Sequence, residues 1–284
     1  MGQDTSVHSV LKPLISEHEG MSLQDYHAHP AMSAHNLMDV QTSPQLASYN
    51  KNHPKEMTPA MLRGHIIHDA VEDWPGFHEK YAVAPEVDRR TKEGKEKWKI
   101  FEEASGDRTV ITKAQEAMAQ SCSYSAWEHP EAKLFLENAK FEKSGFGQVL
   151  QTRVKARPDL DCSKFSGDLV DIKSRQLGQA HQDAWLKDFF HWKTYIQAGL
   201  QVELWRQLGY TVNGYYYILI EHEPPYQVNV IGLDKEWIEI GITEVYRAVQ
   251  LWQRWESNVM PTGYGTGHDL MTVPQWMMNR LQYP

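Results

Sequence analysis

Lys155-Ala156-Arg157-Pro158-Asp159, and then Asp168-Leu169-Val170-Asp171-Ile172-Lys173, decide how this chain is read. Along an extended strand successive side chains point to opposite faces. Asp171 and Lys173 therefore share one face with Leu169, while Val170 and Ile172 share the other. A strand with an apolar run that ends in a carboxylate and an ammonium on one face has the geometry of a site. Asp159 closes the preceding expected strand at a proline-stiffened turn, twelve positions before Asp171. Antiparallel pairing of the two strands would bring both carboxylates to one cation. Asp-x-Lys alone also describes a solvent-facing ion pair on a strand edge; the Arg-Pro-Asp turn at this spacing is what favours a site.

The chemistry this group supplies is that of phosphodiester hydrolysis. Hard Mg²⁺ takes oxygen ligands and keeps several waters. It polarises a phosphoryl oxygen and lowers the pKa of a bound water. A lysine nearby orients that water or stabilises developing charge. Working outward, Gly64-His65-Ile66-Ile67-His68 falls on an expected helix, where residues three apart share a face. A helical histidine aimed at the carboxylates would be a further ligand, although an isolated one is more commonly structural. Glu142 is a second candidate acid, or a solvent-facing residue at a strand end. Downstream, Gln197 and Gln201 share a helical face with Tyr195 close by. Amides there suit phosphates or bases, or simply an exposed face.

Further out, strands are expected over residues 139–143, 148–158 and 167–174, and a short one over 21–26. Helices are expected over 34–40, from Ser43-Pro44, over 60–73, 112–122 and 131–138, as one long element over 185–208, and over 235–257. A hairpin is expected from 215–221 and 227–232. Helices first, then strands, then helix, hairpin and helix argue for an α/β or α+β domain with a mainly helical N-terminal portion. A chain of 284 residues suits one domain, divided as an irregular 1–30, a mainly helical 31–138, a catalytic core 139–260 and a tail 261–284.

A net charge of −8 argues against non-specific coating of nucleic acid, so any DNA contact is confined to a patch or channel. The two cysteines, Cys122 and Cys162, are too few for a disulfide scaffold or a four-cysteine iron–sulfur cluster. The first twenty residues lack a long apolar run, so neither a signal peptide nor a membrane span is expected, and a cytoplasmic location is.

Taken together, these residues resemble the RecE-like (exonuclease VIII type) branch of the RecB/lambda-exonuclease group of PD-(D/E)xK nucleases. The likeness runs over about residues 26–235. It is carried by Gly64 and His68 as G-x-x-x-H, by Glu142 in Phe141-Glu142-Lys143-Ser144, by residues 155–159 as K-x-R-P-D, and by residues 171–173 as D-x-K. The aromatic run Asp188-Phe189-Phe190-His191-Trp192 and the upstream Tyr26-His27, Met32-Ser33 and Ser43-Pro44 add to it. One departure stands out: the group often has Q-x-x-x-Y on the helix after the lysine, and here Gln197 is followed by Gln201.

The resemblance implies a restriction-endonuclease-like α/β core, with a central mixed β-sheet flanked by helices. It implies a 5′→3′ exonuclease on double-stranded DNA ends that leaves a 3′ overhang for phage or prophage recombination. Mg²⁺ would be the cofactor, with Mn²⁺ as a substitute. His68, Asp159, Asp171 and the Ile172 carbonyl would bind metal, Lys173 would be the catalytic lysine, and Glu142 would help hold the metal or its water. Arg157, Arg175, Tyr195 and Gln197 would contact DNA. A single-strand annealing protein of the RecT type, a homo-oligomeric ring and the cytoplasm of a bacterial or phage-infected cell complete the expectation. An endonuclease or structure-specific nuclease of the same fold, or a catalytically silent DNA-end-binding protein, are the alternatives.

Overall fold

The computed structural model describes residues 15–53 and 56–259, together with Thr272 and Met278. Apart from those two positions, the expected tail at 261–284 lies outside the described residues, as do the first fourteen. In chain order the elements are β1 (Ser16–His18), α1 (Leu23–Ala28), α2 (Ala34–Thr42), α3 (Pro44–Asn52), α4 (Pro59–Glu72), α5 (Phe77–Lys80), β2 (Tyr81–Val83), α6 (Lys92–Ser105), β3 (Thr109–Ile111), α7 (Lys113–Glu128) and α8 (Pro130–Asn138). They continue with β4 (Lys140–Phe141), β5 (Ser144–Val149), β6 (Thr152–Ala156), β7 (Leu160–Cys162), β8 (Asp168–Arg175), α9 (Gln182–His191), α10 (Thr194–Gln207), β9 (Gly214–Glu221), β10 (Val228–Gly232) and α11 (Lys235–Glu256).

Helix starts follow their local chemistry. Ser33 and Asn36 form a capping box on α2, as do Thr112 and Gln115 on α7. Thr58 caps α4, with Pro59 in its first turn, where a missing N–H does no harm. The centre of the fold is a mixed five-stranded sheet in the order β10-β9-β8-β7-β4. Within it β8 runs parallel to β9 and antiparallel to β7. A three-stranded antiparallel sheet, β1-β5-β6, and a parallel pair, β2-β3, lie outside it.

The alternation expected of β8 is what packs the molecule. Leu169 faces a core shared with Tyr215, Tyr217 and Leu219 of β9 and with α2, α10 and α11. Val170 and Ile172 face a second core built with α4, α7 and α8. The sheet is thus covered by helices on both faces, as expected of the α/β class.

Four expectations about elements are corrected. Residues 21–26 are not a strand: Ser22 accepts a hydrogen bond from the Asp25 N–H and caps the short helix α1 instead. Residues 148–158 are not one strand but the end of β5, a tight turn and β6. Leu150 and Gln151 make that turn at φ of 44° and 71°, the left-handed pair that a two-residue hairpin requires. Residues 185–208 are two helices, broken where Lys193 adopts a left-handed φ of 53°. The helix begun by Thr112 runs on to Glu128, because no breaker precedes His129-Pro130. Among the described residues, no helix is long and apolar enough to cross a membrane.

Candidate active site

β7 pairs with β8 in the register Leu160↔Val170. One step further along that register, Asp159 lies across from Asp171. The convergence expected of the two carboxylates therefore comes from the short strand after Asp159, not from the strand before it. β7 begins at Leu160, and just before it the Ile172 N–H donates to Asp159 Oδ2 at 2.6 Å. In an antiparallel ladder a residue's N–H and C=O point to the same side, so the Ile172 carbonyl also faces the Asp159 edge.

Asp171 is 1% exposed. Gln197 of α10 donates from Nε2 to Asp171 Oδ1 at 2.9 Å and accepts from Lys173 Nζ at 3.2 Å. Lys173 Nζ closes the triangle as the ion partner of Asp171 Oδ2. From α4, His68 Nδ1 reaches to 3.6 Å of Asp159 Oδ2. Of the two candidate histidines it is His68, not His65, that meets the carboxylates.

The charges are strongly coupled. Burial and the neighbouring Asp159 charge push the Asp171 carboxyl up to about 6, against the pull of Lys173 and His68. Burial alone would discharge His68, yet Asp159 outweighs it and raises the imidazole to about 9. Burial likewise works against Asp159, but His68, Lys173 and the Ile172 N–H hold its carboxyl below the usual carboxylate range. Lys173 is shifted upward by Asp171 and Asp159 despite its burial.

Among the described residues, no three His, Cys, Asp or Glu side chains are gathered as a ready-made metal cage. His68 and Lys173 themselves neutralise the two acids. The donor set nonetheless fits a hard divalent cation. Two carboxylates and a main-chain carbonyl share one strand edge, and buried Asp171 Oδ2 has an ion partner but no hydrogen bond of proper geometry.

Glu142 stands at φ 48°, donates its N–H to the Asp159 carbonyl at 2.9 Å, and accepts from Arg157 Nη2 at 2.6 Å. It buttresses the Asp159 turn through its backbone and anchors Arg157 through its carboxylate. Arg157 is nearly buried, with its guanidinium 5.6 Å from the Tyr26 ring. Arg175 is tied to Asp188 at 2.5 Å and to the Gln179 carbonyl at 3.1 Å, 5.1 Å from the Trp185 ring. Tyr195 packs among Phe189 and Trp237 at 5.7 and 6.3 Å. Of the four expected DNA contacts, only Gln197 touches the carboxylates; both arginines are engaged within the protein.

Two residues carry more than their sequence positions suggest. Gln201 is buried at 2% exposure, accepts from Tyr215 Oη at 2.8 Å and donates to the Arg157 carbonyl at 3.4 Å. It props the Arg157-Pro158-Asp159 turn from below, so it is not part of an exposed face. Lys155 donates to the carbonyls of Tyr26, His27 and His29 at 2.6, 3.2 and 2.8 Å, and thereby holds the end of α1. Nothing in the local sequence signals that role, because its partners lie more than a hundred residues upstream.

The family model described as "PDDEXK-like domain of unknown function (DUF3799)" matches residues 33–268. Among solved structures, a chain from Eubacterium rectale described as "Putative exonuclease" is similar over 94% of this chain and 100% of that one. Its TM-score is 0.59 and its identity 13%, a likeness of fold. No curated protein matches the sequence.

Proposed function

Because the chain belongs to the PDDEXK-like family of unknown function (DUF3799), a nuclease fold, we propose that it is a Mg²⁺-dependent 5′→3′ exonuclease. It degrades one strand of duplex DNA from an end and leaves a 3′ overhang. The observation that carries this reading is the single cluster of Asp159, Asp171, Lys173 and Gln197 at the edge where β7 gives way to open strand.

Asp159, Asp171, His68 and the Ile172 carbonyl are the groups that would hold the ion. When bound, it supplies Lewis-acid polarisation of the phosphate and a more acidic water. The chain does the rest. The Ile172 N–H fixes the Asp159 carboxylate, and Gln197 holds Asp171 and Lys173 in one arrangement. Lys173, charged in a buried site, is placed to hold the attacking water or to stabilise charge building on a phosphate oxygen. A preorganised ammonium in a water-poor site is worth far more than one in bulk solvent.

In this reading the enzyme works in the cytoplasm of a bacterial or phage-infected cell, beside a single-strand annealing protein of the RecT type. It works as a homo-oligomeric ring around DNA, and Mn²⁺ replaces Mg²⁺. Its acidity, −8 overall, suits contacts confined to a channel. The description of its structural neighbour as a "Putative exonuclease" supports attack from ends.

The test uses linear duplex DNA labelled at the 5′ end of one strand or the 3′ end of the other, beside covalently closed circles, with Mg²⁺. The wild type should release 5′ label from linear DNA and leave circles intact. Lys173→Ala should lose at least about a hundredfold in rate, the scale of removing one preorganised charge-stabilising group, with its circular-dichroism spectrum at the assay temperature unchanged. Cleaved circles would replace the reading with an endonuclease. Full activity in Lys173→Ala would overturn the site.

A further inference from the structure

We propose that the cavity at the C-terminal end of β8 and β9 is a base-reading pocket, in which Glu221 accepts a hydrogen bond from the exocyclic amino group of a nucleobase. The cavity has a volume of about 440 Å³ and is lined by Gly178, Ala180, His181, Gln227 and Asn229, with Glu221 among them. That volume falls within the roughly 300–1,000 Å³ of small-molecule sites.

Glu221 is the reason to expect a ligand. It is 1% exposed, and its two carboxylate oxygens are treated differently. Oε1 accepts from the Ala180 N–H at 3.1 Å, while Oε2 has no hydrogen-bond partner. Asn229 Nδ2 grips the Ala180 carbonyl at 2.8 Å, so the pocket wall is braced from both sides. A buried carboxylate oxygen without a donor is costly, and a rigid wall keeps it from relaxing away. The group that completes it must bring an N–H or O–H donor and must not be an anion. This excludes a phosphate and suits the amino edge of cytosine, adenine or guanine, an amino group on cytosine being the usual partner of a glutamate.

Position ties the pocket to the carboxylate site. Glu221 is the register partner of Arg175, as Leu219 is of Lys173 and Tyr217 of Asp171. Paired residues share a face, so Glu221 points to the same side of the sheet as Asp171 and Lys173. Two residues along a strand and one strand across put its Cα about 8 Å from that of Lys173. A nucleotide whose phosphate meets the carboxylates therefore has its base within reach of the pocket. The proposal rests on the nuclease reading only for the identity of the substrate, not for the chemistry of the pocket.

Glu221→Gln is the discriminating change. Its amide oxygen keeps the Ala180 bond, and its NH₂ points where a carboxylate oxygen stood. Thymine offers a carbonyl where cytosine offers an amino group. Binding of dCMP and dTMP to the full chain is measured by calorimetry, beside cleavage of duplexes that differ only in cytosine or thymine at the 5′ end. The wild type should prefer dCMP about tenfold, the scale of one hydrogen bond to a charged acceptor, and Glu221→Gln should reverse the order. Equal affinities in the wild type, which need no variant to fold, or an unchanged order in the variant, overturn the pocket. Selective and reversible nucleotide binding without cleavage of any DNA leaves the pocket standing and removes the nuclease reading. Cleavage without base preference in either assay does the opposite.

Discussion

Tyr215 and Gln201 satisfy each other beneath the two carboxylates, and neither has water to fall back on. Tyr215 is fully buried, and Gln201 is its hydrogen-bond acceptor as well as a donor to the Arg157 carbonyl. Gln201→Leu leaves a phenol and a carbonyl short of a partner, at a cost of about 1–3 kcal/mol. Adding Tyr215→Phe removes the stranded phenol, so the double variant should lose less than the sum of the two single losses. Denaturant unfolding of the four proteins measures this, and strict additivity would show that the pair does not act as one. In the sequence Gln201 is only the residue found where a related group has tyrosine. That a tyrosine from the neighbouring strand meets it could not be seen, because the contact depends on how α10 lies across β9.

At the scale of elements, α10 carries Gln197 to Asp171 only because it lies almost on top of α11. A Cβ on Gly199 would sit 2.2 Å from the Gly241 carbonyl carbon, and one on Gly241 would sit 2.1 Å from the Tyr195 carbonyl oxygen. The two glycines let the helix backbones touch. Gly199→Ala must push the helices apart, at a cost of about 1–3 kcal/mol for overpacking. It also moves Gln197, two residues before it on the same helix. Thermal unfolding should fall by about 2–4 °C for each kcal/mol lost, and activity should fall with it. An unchanged melting temperature would mean that the crossing is looser than these distances require. The break between α9 and α10 belongs to the same scale. Residues 185–208 read as one helix because their side chains suit one, and the left-handed turn at Lys193 is set by how the two pieces dock.

Across the whole molecule, Lys143 ties distant parts together. Its ammonium, 1% exposed, contacts Glu17 of β1 at 2.8 Å, Asp161 of β7 at 3.0 Å and the Tyr210 hydroxyl at 2.8 Å. One buried charge thus joins the three-stranded sheet to the five-stranded one. Burial alone would raise the Asp161 carboxyl, but Ser163 and Lys143 hold it below its usual range. A depressed folded-state pKa stabilises above the unfolded value, about 3.9. That stability is lost as pH falls through the folded value. The wild type should therefore lose stability as pH drops below about 4. Asp161→Asn should cost about 3 kcal/mol at neutral pH by breaking a buried pair and should show a flatter acid limb. Denaturant melts from pH 7 to 3 check this, and parallel curves for the two proteins would remove Asp161 from the acid response.

What the sequence by itself determined is what depends on neighbours along the chain. The alternation of residues 168–173 put Asp171 and Lys173 on one face and Val170 and Ile172 on the other, and β8 keeps that division. Capping residues set the starts of α2, α4 and α7. The order of the elements implied an α/β or α+β domain with a helical N-terminal portion, and the resemblance carried by residues 155–173 implied the helix-covered mixed sheet. What only the tertiary structure decided are contacts between side chains far apart in sequence: His68 rather than His65 at Asp159, Arg157 on Glu142, Gln201 on Tyr215, and the half-partnered Glu221 in its cavity. Local spacing fixes the direction of a side chain relative to its own element. Which partner that direction finds depends on how elements pack, and that balance is struck over the whole core at once.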